Sequence, residues 1–200
     1  MTTTQTKSKR TTSKRTTSVD SIELPANPFA FEVLDLVSKQ KSNARKVEVL
    51  KKYEHDSLKA LFIWNFDESV ISVLPPGEVP YSNLRDEQKT TGTLSTKVNQ
   101  LVDTMDYNDT ISLGNASDMR QGHTSIRKEW RKFYNFIKGG NETLPSLRRE
   151  TMFIQILEGL HPLDAQILCL VKDKKLETKY KISKEIVSEA YPDIRWGGRS

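Results

Sequence analysis

The stretch that decides the fold is Phe153-Ile-Gln-Ile-Leu-Glu-Gly-Leu-His-Pro-Leu-Asp-Ala-Gln-Ile-Leu-Cys-Leu-Val171. Its first half repeats apolar residues at helical spacing, at Phe153, Ile156, Leu157 and Leu160. Residues 159–162 then break that helix, and His161 is expected to cap a new one over 162–171. The second helix is apolar nearly all round, so we expect it at the centre of a helical core.

Upstream of this stretch, helix-start signals recur. Asn27 and Pro28 predict an N-cap and first residue for a helix over 28–38. Ser42 is expected to cap a helix carrying Val47 and Leu50, and Asp56 and Ser146 are expected to cap two more. Further helices are predicted over 94–104 and 183–190.

The chain also contains one β-prone run, Val70-Ile-Ser-Val-Leu74, which ends at Pro75-Pro-Gly77. It predicts a short strand or extended segment entering a turn, with Pro80 and Tyr81 continuing irregularly. The fold class predicted from the sequence is therefore mainly α. We expect a compact helical domain with a short extended or β segment near residues 70–81 and a disordered N-terminal tail.

Composition sets the domain boundaries. Residues 1–24 are rich in Thr, Ser, Lys and Arg and nearly free of apolar residues, which predicts a disordered basic tail. Residues 25–196 are expected to form a single mostly helical domain. Possible sub-units at 25–105 and 124–196 would be joined by a loop over 106–123 that mixes Asn, Asp, Gly and Ser.

The charge is unevenly distributed. The net charge is +5, and five basic residues lie within residues 1–18, so the rest of the chain is formally neutral. Residues 54–118 hold four basic and eleven acidic residues, whereas residues 119–200 hold sixteen basic and ten acidic ones. The two parts are expected either to face each other within the fold or to face separate partners.

A basic helix face is the most specific functional signal. The sequence predicts an amphipathic helix that ends at Gly139-Gly140, and one face of it is formed by Ile126, Trp130, Phe133 and Ile137. On its other side Arg127, Arg131 and Lys138 fall together, with Lys128 and Lys132 beside them. The alternative is an ordinary solvated face. The candidate nucleic-acid-binding residues are therefore Lys9, Arg10, Lys14, Arg15, Arg127, Lys128, Arg131 and Lys132.

Two further basic groups, Arg148-Arg149 and Lys172-Asp-Lys-Lys175, extend this surface only if the fold brings them together. No catalytic, cofactor or metal site is predicted. A nucleotide cofactor site is not expected because the nine glycines match no phosphate-binding loop. Asp103, Asp106 and Asp109 lack the pattern of a calcium loop and are interpreted as a solvated acidic turn. The pair His161 and Cys169 is interpreted as a helix cap and a core residue.

No apolar run approaches the roughly 20 residues of a membrane span, so no membrane partner is expected. The single cysteine, Cys169, cannot form an internal disulfide and is typical of a reducing cytosol.

Several segments together resemble a known family. These are Lys51-Lys-Tyr-Glu-His-Asp-Ser-Leu-Lys-Ala-Leu61, Val73-Leu-Pro-Pro-Gly-Glu-Val-Pro-Tyr81, Phe153 to Ala165, Lys172-Asp-Lys-Lys-Leu176 and Ala190-Tyr-Pro-Asp193. They are similar to an uncharacterised family encoded by contractile-tailed phages of marine cyanobacteria, over roughly residues 28–196. The family has no assigned activity, so the resemblance implies only a viral protein acting in the cytoplasm of the bacterial host, or in the virion.

Two hypotheses follow. The first is a non-enzymatic phage accessory protein that associates with DNA or RNA, nonspecifically, or with another polyanion, through its basic tail and basic helix face. The second is a protein-protein adaptor or virion component without a nucleic-acid role, which docks a phage or host protein through its acidic middle or its segment 75–81.

Overall fold

The computed structural model describes residues 23–81, 92–93, 96 and 124–198. The described chain is mainly helical, as predicted. Its helices, in order, are α1 (Ala30–Ser38), α2 (Asn43–Lys52), α3 (Asp56–Phe66), α4 (Ile126–Glu129), a 3-10 helix (Trp130–Phe136), α5 (Ser146–Gly159), α6 (Pro162–Lys172), α7 (Leu176–Tyr180) and α8 (Lys184–Ala190). Two short strands, β1 (Pro80–Tyr81) and β2 (Gly92–Thr93), pair antiparallel.

Helix α6 lies at the centre, which confirms the prediction from residues 153–171. Ile167, Leu168 and Val171 have no exposed surface, and α6 packs against α1, α3, α5 and α7. The cap at its start is also as predicted, because the His161 ring nitrogen Nδ1 accepts a hydrogen bond from the Leu163 backbone N–H at 3.2 Å. The break between α5 and α6 thus places both helices against one core.

Other helix starts differ from expectation. The Ser42 cap is confirmed, but Asn27 does not cap α1, which begins after Phe29. The reason is that carboxylates cap α1 instead: Glu32 accepts from the Phe29 N–H at 2.8 Å, and Asp164 of α6 accepts from the Phe31 N–H at 3.0 Å.

The predicted caps Asp56 and Ser146 are likewise wrong by one residue. His55 caps α3 through its Nδ1, which accepts from the Ser57 N–H at 3.0 Å, so Asp56 is the first helical residue. Ser146 is the first residue of α5, because Pro145 holds the extended N-cap conformation and cannot continue the helix backwards.

The single helix expected from residue 126 to residue 138 is replaced by three pieces. α4 gives way at Trp130 to the 3-10 helix, and Ile137 is extended. The extended backbone pairs with the segment 71–73, since Val73 donates to the Phe136 carbonyl at 2.9 Å and Lys138 donates to the Ile71 carbonyl at 2.8 Å. This pairing with a distant segment prevents the helix from continuing.

The segment 70–81 is extended, as predicted, although Pro80 and Tyr81 pair with β2 rather than continuing irregularly. Its turn is anchored by Lys172, whose buried ammonium donates to the carbonyls of Pro75 at 2.8 Å and Gly77 at 3.2 Å. Lys172 also pairs with Asp173 at 2.5 Å, and the Asp173 carboxylate accepts from the Gly77 N–H. We call this group the Lys172 clamp.

Residues on both sides of the undescribed middle share one hydrophobic core cluster, which runs from Ala30 to Leu74 and from Ile126 to Ile194. The predicted tail over 1–24, apart from residues 23 and 24, lies outside the described residues. So do the loop over 106–123 and, apart from Thr96, the helix over 94–104. Within the described part of the chain, none of the helices has the length and apolar character needed to cross a membrane.

Candidate functional site

The candidate cations divide between the described and undescribed parts of the chain. Lys9, Arg10, Lys14 and Arg15 lie outside the described residues. Arg127, Lys128, Arg131 and Lys132 lie on α4 and the 3-10 helix, which we call together the basic segment (residues 126–136).

Aromatic packing holds the basic segment against α3. Phe133 and Phe136 are buried, and their rings lie 5.3 and 6.1 Å from the ring of Trp64. Because side chains three residues apart share a side of a 3-10 helix, Trp130 lies on this same inner side. Arg131 and Tyr134, also three apart, are both exposed, with Tyr134 at 51%.

The predicted basic stripe is therefore arranged differently from its α-helical form. Lys138 falls beyond the helical residues, in the pairing with Ile71. Lys132 forms an ion pair with Glu129 at 2.6 Å, and the Arg131 guanidinium lies 5.6 Å from the centre of the Trp130 ring. Arg127 and Lys128 face a cavity at the start of the segment.

Of the two other basic groups named from the sequence, Arg148 and Lys175 are exposed, whereas the other three cations bond within the fold. Arg149 donates to the backbone carbonyls of Asn135, Asn141 and Leu144, and so holds the end of the 3-10 helix against α5. Lys172 is buried in its clamp, and Lys174 donates to the Asp67 carbonyl at 2.7 Å. These cations are used within the fold.

The cavity at the start of the basic segment has a volume of about 540 Å³. It lies where α1, α3 and α4 begin, and we call it the α4 cavity. Its apolar wall includes Phe29, Val33, Leu58 and Ile126.

Four ionisable side chains line the α4 cavity: Lys128 and three whose environments differ, Arg127, His55 and Asp164. Arg127 is partly buried, which lowers its pKa, and no described residue gives its guanidinium a hydrogen bond or ion pair. Burial first, and then the positive charge of Arg127, lowers the pKa of His55. Burial raises the pKa of Asp164 to about 7. The cavity is thus cationic at one place and holds a weakly acidic carboxyl at another.

Asp164 is the member of this site that sequence reasoning missed. Its Oδ1 caps α1 by accepting from the Phe31 N–H, and the Ala30 N–H also approaches the carboxyl, while the buried Oδ2 forms no well-aligned hydrogen bond with any described residue. The available signal was an acid inside the otherwise apolar Pro162–Val171 helix. Buried carboxyls are rare unless they bond to something, so that position indicated a specific contact.

His161 and Cys169 remain structural in character. The His161 ring stacks on Phe31 with 4.8 Å between ring centres, and burial lowers its pKa to about 4. Burial raises the pKa of the Cys169 thiol to about 12, so the thiolate needed for nucleophilic attack is disfavoured.

A second cavity, of about 190 Å³, lies beside the turn that the Lys172 clamp holds. Its apolar wall is formed by Leu74, Pro75, Val79 and Phe153, and its acidic groups are Glu78 and Glu150. Within the described ranges, no group of three or more His, Cys, Asp or Glu side chains is placed to hold a metal ion. The carboxylates Asp103, Asp106 and Asp109 fall outside those ranges.

No curated protein and no solved structure matches this chain. A family described as "Family of unknown function (DUF6433)" matches it over residues 33–108 and 112–178. The two matched stretches cover more than half of the chain and include α1 from Val33 onwards, α2 to α6, and the start of α7. The protein therefore belongs to the DUF6433 family.

Proposed function

We propose that this protein is a non-enzymatic phage accessory protein that associates with nucleic acid through its basic segment, assisted by its basic tail. The observation that carries the proposal is the outer side of the 3-10 helix. There Arg131, whose guanidinium lies 5.6 Å from the centre of the Trp130 ring, shares the exposed side of the helix with Tyr134, three residues on. Arg127 and Lys128 continue the positive charge toward the α4 cavity.

The chemistry of this surface suits a polynucleotide strand. Lys and Arg neutralise phosphates and release counterions, which makes binding weaken as salt rises. An exposed aromatic ring offers a stacking surface for an unpaired base whatever the base. A surface that combines both features favours strands with accessible bases and has little means of reading a duplex sequence.

The first prediction concerns this interface. We expect labelled single-stranded DNA and RNA to bind the full-length protein, with an affinity that falls steeply between two salt concentrations. Arg131→Ala should reduce the slope of log affinity against log salt by about 0.7, the value for one single-strand phosphate contact. Tyr134→Ala should weaken single-strand binding by about 1–3 kcal/mol, as loss of one stacked base does. Fluorescence anisotropy measures both.

Matched variants separate the body from the tail. Lys41→Ala removes an exposed charge between α1 and α2, away from the basic segment, and should leave affinity nearly unchanged. Removal of residues 1–18 should lower affinity and salt dependence without abolishing the effect of Tyr134→Ala. Absence of any salt-dependent binding by the full-length protein would refute the proposal.

The adaptor hypothesis keeps one specific observation in its favour, the acidic and apolar second cavity beside Pro75. Affinity capture from infected cells and mass spectrometry of purified virions test it. A protein partner at constant stoichiometry, lost when Glu78 and Glu150 are changed to Gln, would support the adaptor; recovery with nucleic acid alone would count against it. Phage origin, location in the host cytoplasm and presence in the virion are proposals tested by the same capture.

A further inference from the structure

We propose that the α4 cavity holds one nucleotide of the bound strand, with its phosphate at Arg127 and Lys128 and a hydrogen-bond donor of its base or sugar at Asp164. This inference rests on the proposed function and names the part of the ligand that the cavity would receive. It adds a pocket for a single unit to a surface that otherwise contacts a strand from outside.

The size and wall of the α4 cavity suit such a unit. Its volume of about 540 Å³ lies within the range of small-molecule sites. Phe29, Val33, Leu58 and Ile126 give it an apolar wall, and the Phe29 ring is held by stacking on Phe31 with 5.7 Å between ring centres. A flat base with a polar edge can lie against a wall of this kind.

Arg127 provides the positive charge that would bind the phosphate. A guanidinium that is partly withdrawn from water without a carboxylate or carbonyl partner is electrostatically unfavourable, and a phosphate provides both the charge and paired acceptors. Lys128, exposed at the same edge, adds a second cation. His55 lies close enough to Arg127 to feel its charge, and its Nδ1 is occupied by the Ser57 N–H.

The hydrogen-bond acceptor in the cavity is Asp164, which is only 1% exposed. Capping of α1 needs only one carboxyl oxygen, Oδ1, and an asparagine would serve that purpose equally. The second oxygen, Oδ2, is buried and forms no well-aligned hydrogen bond with a described residue. Asp164 itself lines the cavity. Buried polar atoms are bonded in the great majority of proteins, so Oδ2 points to a donor that arrives with the ligand.

A cation for a phosphate, a carboxyl oxygen for a hydrogen-bond donor and an apolar wall, all lining one cavity, together suit a nucleotide. Base amino groups and sugar hydroxyls both provide the donor. Because a paired and stacked nucleotide cannot enter a pocket, the strand must present an unpaired or terminal unit.

The experiment is calorimetric titration of the full-length protein with nucleoside monophosphates, against inorganic phosphate, a sugar phosphate and the uncharged nucleosides. We expect monophosphates to bind at least tenfold more tightly than any of the other three. Above the Asp164 pKa of about 7, where Oδ2 is ionised and accepts, Asp164→Asn retains an oxygen to cap α1 but replaces that acceptor by a donor, and should weaken monophosphate binding at least tenfold. Arg127→Ala should do the same, whereas Lys41→Ala, which removes an exposed cation between α1 and α2, should not.

Thermal melting of each variant shows that it is folded, and Arg127→Ala provides the test if Asp164→Asn does not fold. Equal binding of inorganic phosphate and monophosphate would overturn the inference, as would no binding by monophosphates. Equal affinity in wild type and both variants would mean that monophosphates bind elsewhere on the protein, and would also overturn it.

The two proposals fail separately. If single strands bind in a salt-dependent way that Tyr134→Ala weakens, and monophosphates do not bind, the pocket assignment is wrong and the surface assignment stands. If monophosphates bind but no strand does, the pocket assignment stands and the proposed association with nucleic acid is wrong. Tyr134→Ala should weaken strand binding and leave monophosphate binding unchanged, because Tyr134 does not line the cavity.

Discussion

His161 and Asp164 lie at the first turn of α6 and respond to burial in opposite directions. Burial lowers the pKa of His161 from 6.5 to about 4 and raises that of Asp164 from 3.8 to about 7. Each side chain is held in its neutral form, because burial disfavours charge of either sign. Together they make the start of α6 electrically neutral over the range in which both would be charged in the unfolded chain.

This opposition predicts a compensated pH dependence of stability. Between pH 4 and 6.5 the unfolded chain binds a proton at His161 that the folded one lacks, so this residue makes stability rise with pH. Between pH 3.8 and 7 the folded protein keeps a proton on Asp164 that the unfolded chain loses, so that residue makes stability fall with pH. From pH 4 to 6.5 the two contributions cancel.

Replacing one residue at a time should reveal the contribution of the other to the pH dependence of stability. Urea unfolding at a series of pH values should show that Asp164→Asn makes the slope of the unfolding free energy more positive, by up to about 1.4 kcal/mol per pH unit. His161→Asn, which keeps an oxygen to cap α6, should make it more negative by a similar amount. Slopes identical to wild type in both variants would contradict the prediction.

The role of one of these two residues could be predicted from the sequence and that of the other could not, for a physical reason. The His161 cap could be predicted because its partner, the Leu163 N–H, is two residues away. The role of Asp164 could not, because it bonds to Phe31, 133 residues away in the chain. Local chemistry is visible in sequence, whereas a cap supplied by another helix requires the fold.

At the scale of elements, the basic segment shows how a correct pattern leads to a wrong helix. The apolar spacing from Ile126 to Ile137 suits an α-helix, and of the residues predicted for its core face Ile126 and Phe133 are buried, while Trp130 and Ile137 are partly buried. However, spacing of three also fits Trp130, Phe133 and Phe136, and a 3-10 helix satisfies it. The pairing of residues 136–138 with 71–73, not local propensity, selects between them.

The end of this element predicts an asymmetry between two adjacent glycines. A Cβ at Gly140 would lie 1.8 Å from the Tyr134 carbonyl oxygen, whereas one at Gly139 meets nothing within 4 Å. Gly140→Ala should therefore destabilise the protein by about 3 kcal/mol, the upper part of the range for overpacking. Gly139→Ala, at a φ of +78°, should lose only about 1 kcal/mol through its left-handed backbone.

Chemical denaturation of the two variants measures the difference. The matched pair shares the added methyl, so the variants differ in the close approach to Tyr134 at Gly140 and in the left-handed backbone at Gly139. Equal destabilisation would mean that the turn after the 3-10 helix moves freely. Binding of single strands by Gly140→Ala should weaken along with the order of that helix.

At the scale of the whole molecule, the Lys172 clamp joins the extended segment to the central helix. Lys172→Met keeps the apolar stem but leaves the Pro75 and Gly77 carbonyls and Asp173 without their cation. We expect a loss of about 3 kcal/mol in the free energy of unfolding, since hydrogen bonds to a buried charge are among the strong ones. Lys175→Met, at an exposed position nearby, should stay within about 0.5 kcal/mol of wild type.

Much of the architecture was accessible from apolar periodicity. The α5–α6 hairpin, the helical class and the extended run before Pro75 all follow from patterns within about 20 residues. The short helix α7 was missed, because its five residues hold too little periodic signal. The α4 cavity was also inaccessible, since its lining comes from four separate stretches of chain that only packing brings together.

The packing of α8 on α2 has a consequence for how the protein is made. The Tyr191 hydroxyl donates to the Leu50 carbonyl at 2.8 Å across 141 residues, and Lys59 pairs with Asp193. During synthesis, α2 and α3 therefore leave the ribosome long before the residues that cover them, and their apolar faces stay open until α8 emerges. A chain truncated between Lys181 and Ser183 would keep most of its helices but lack the contacts of α8 on α2, and would be a ready substrate for chaperones and proteases.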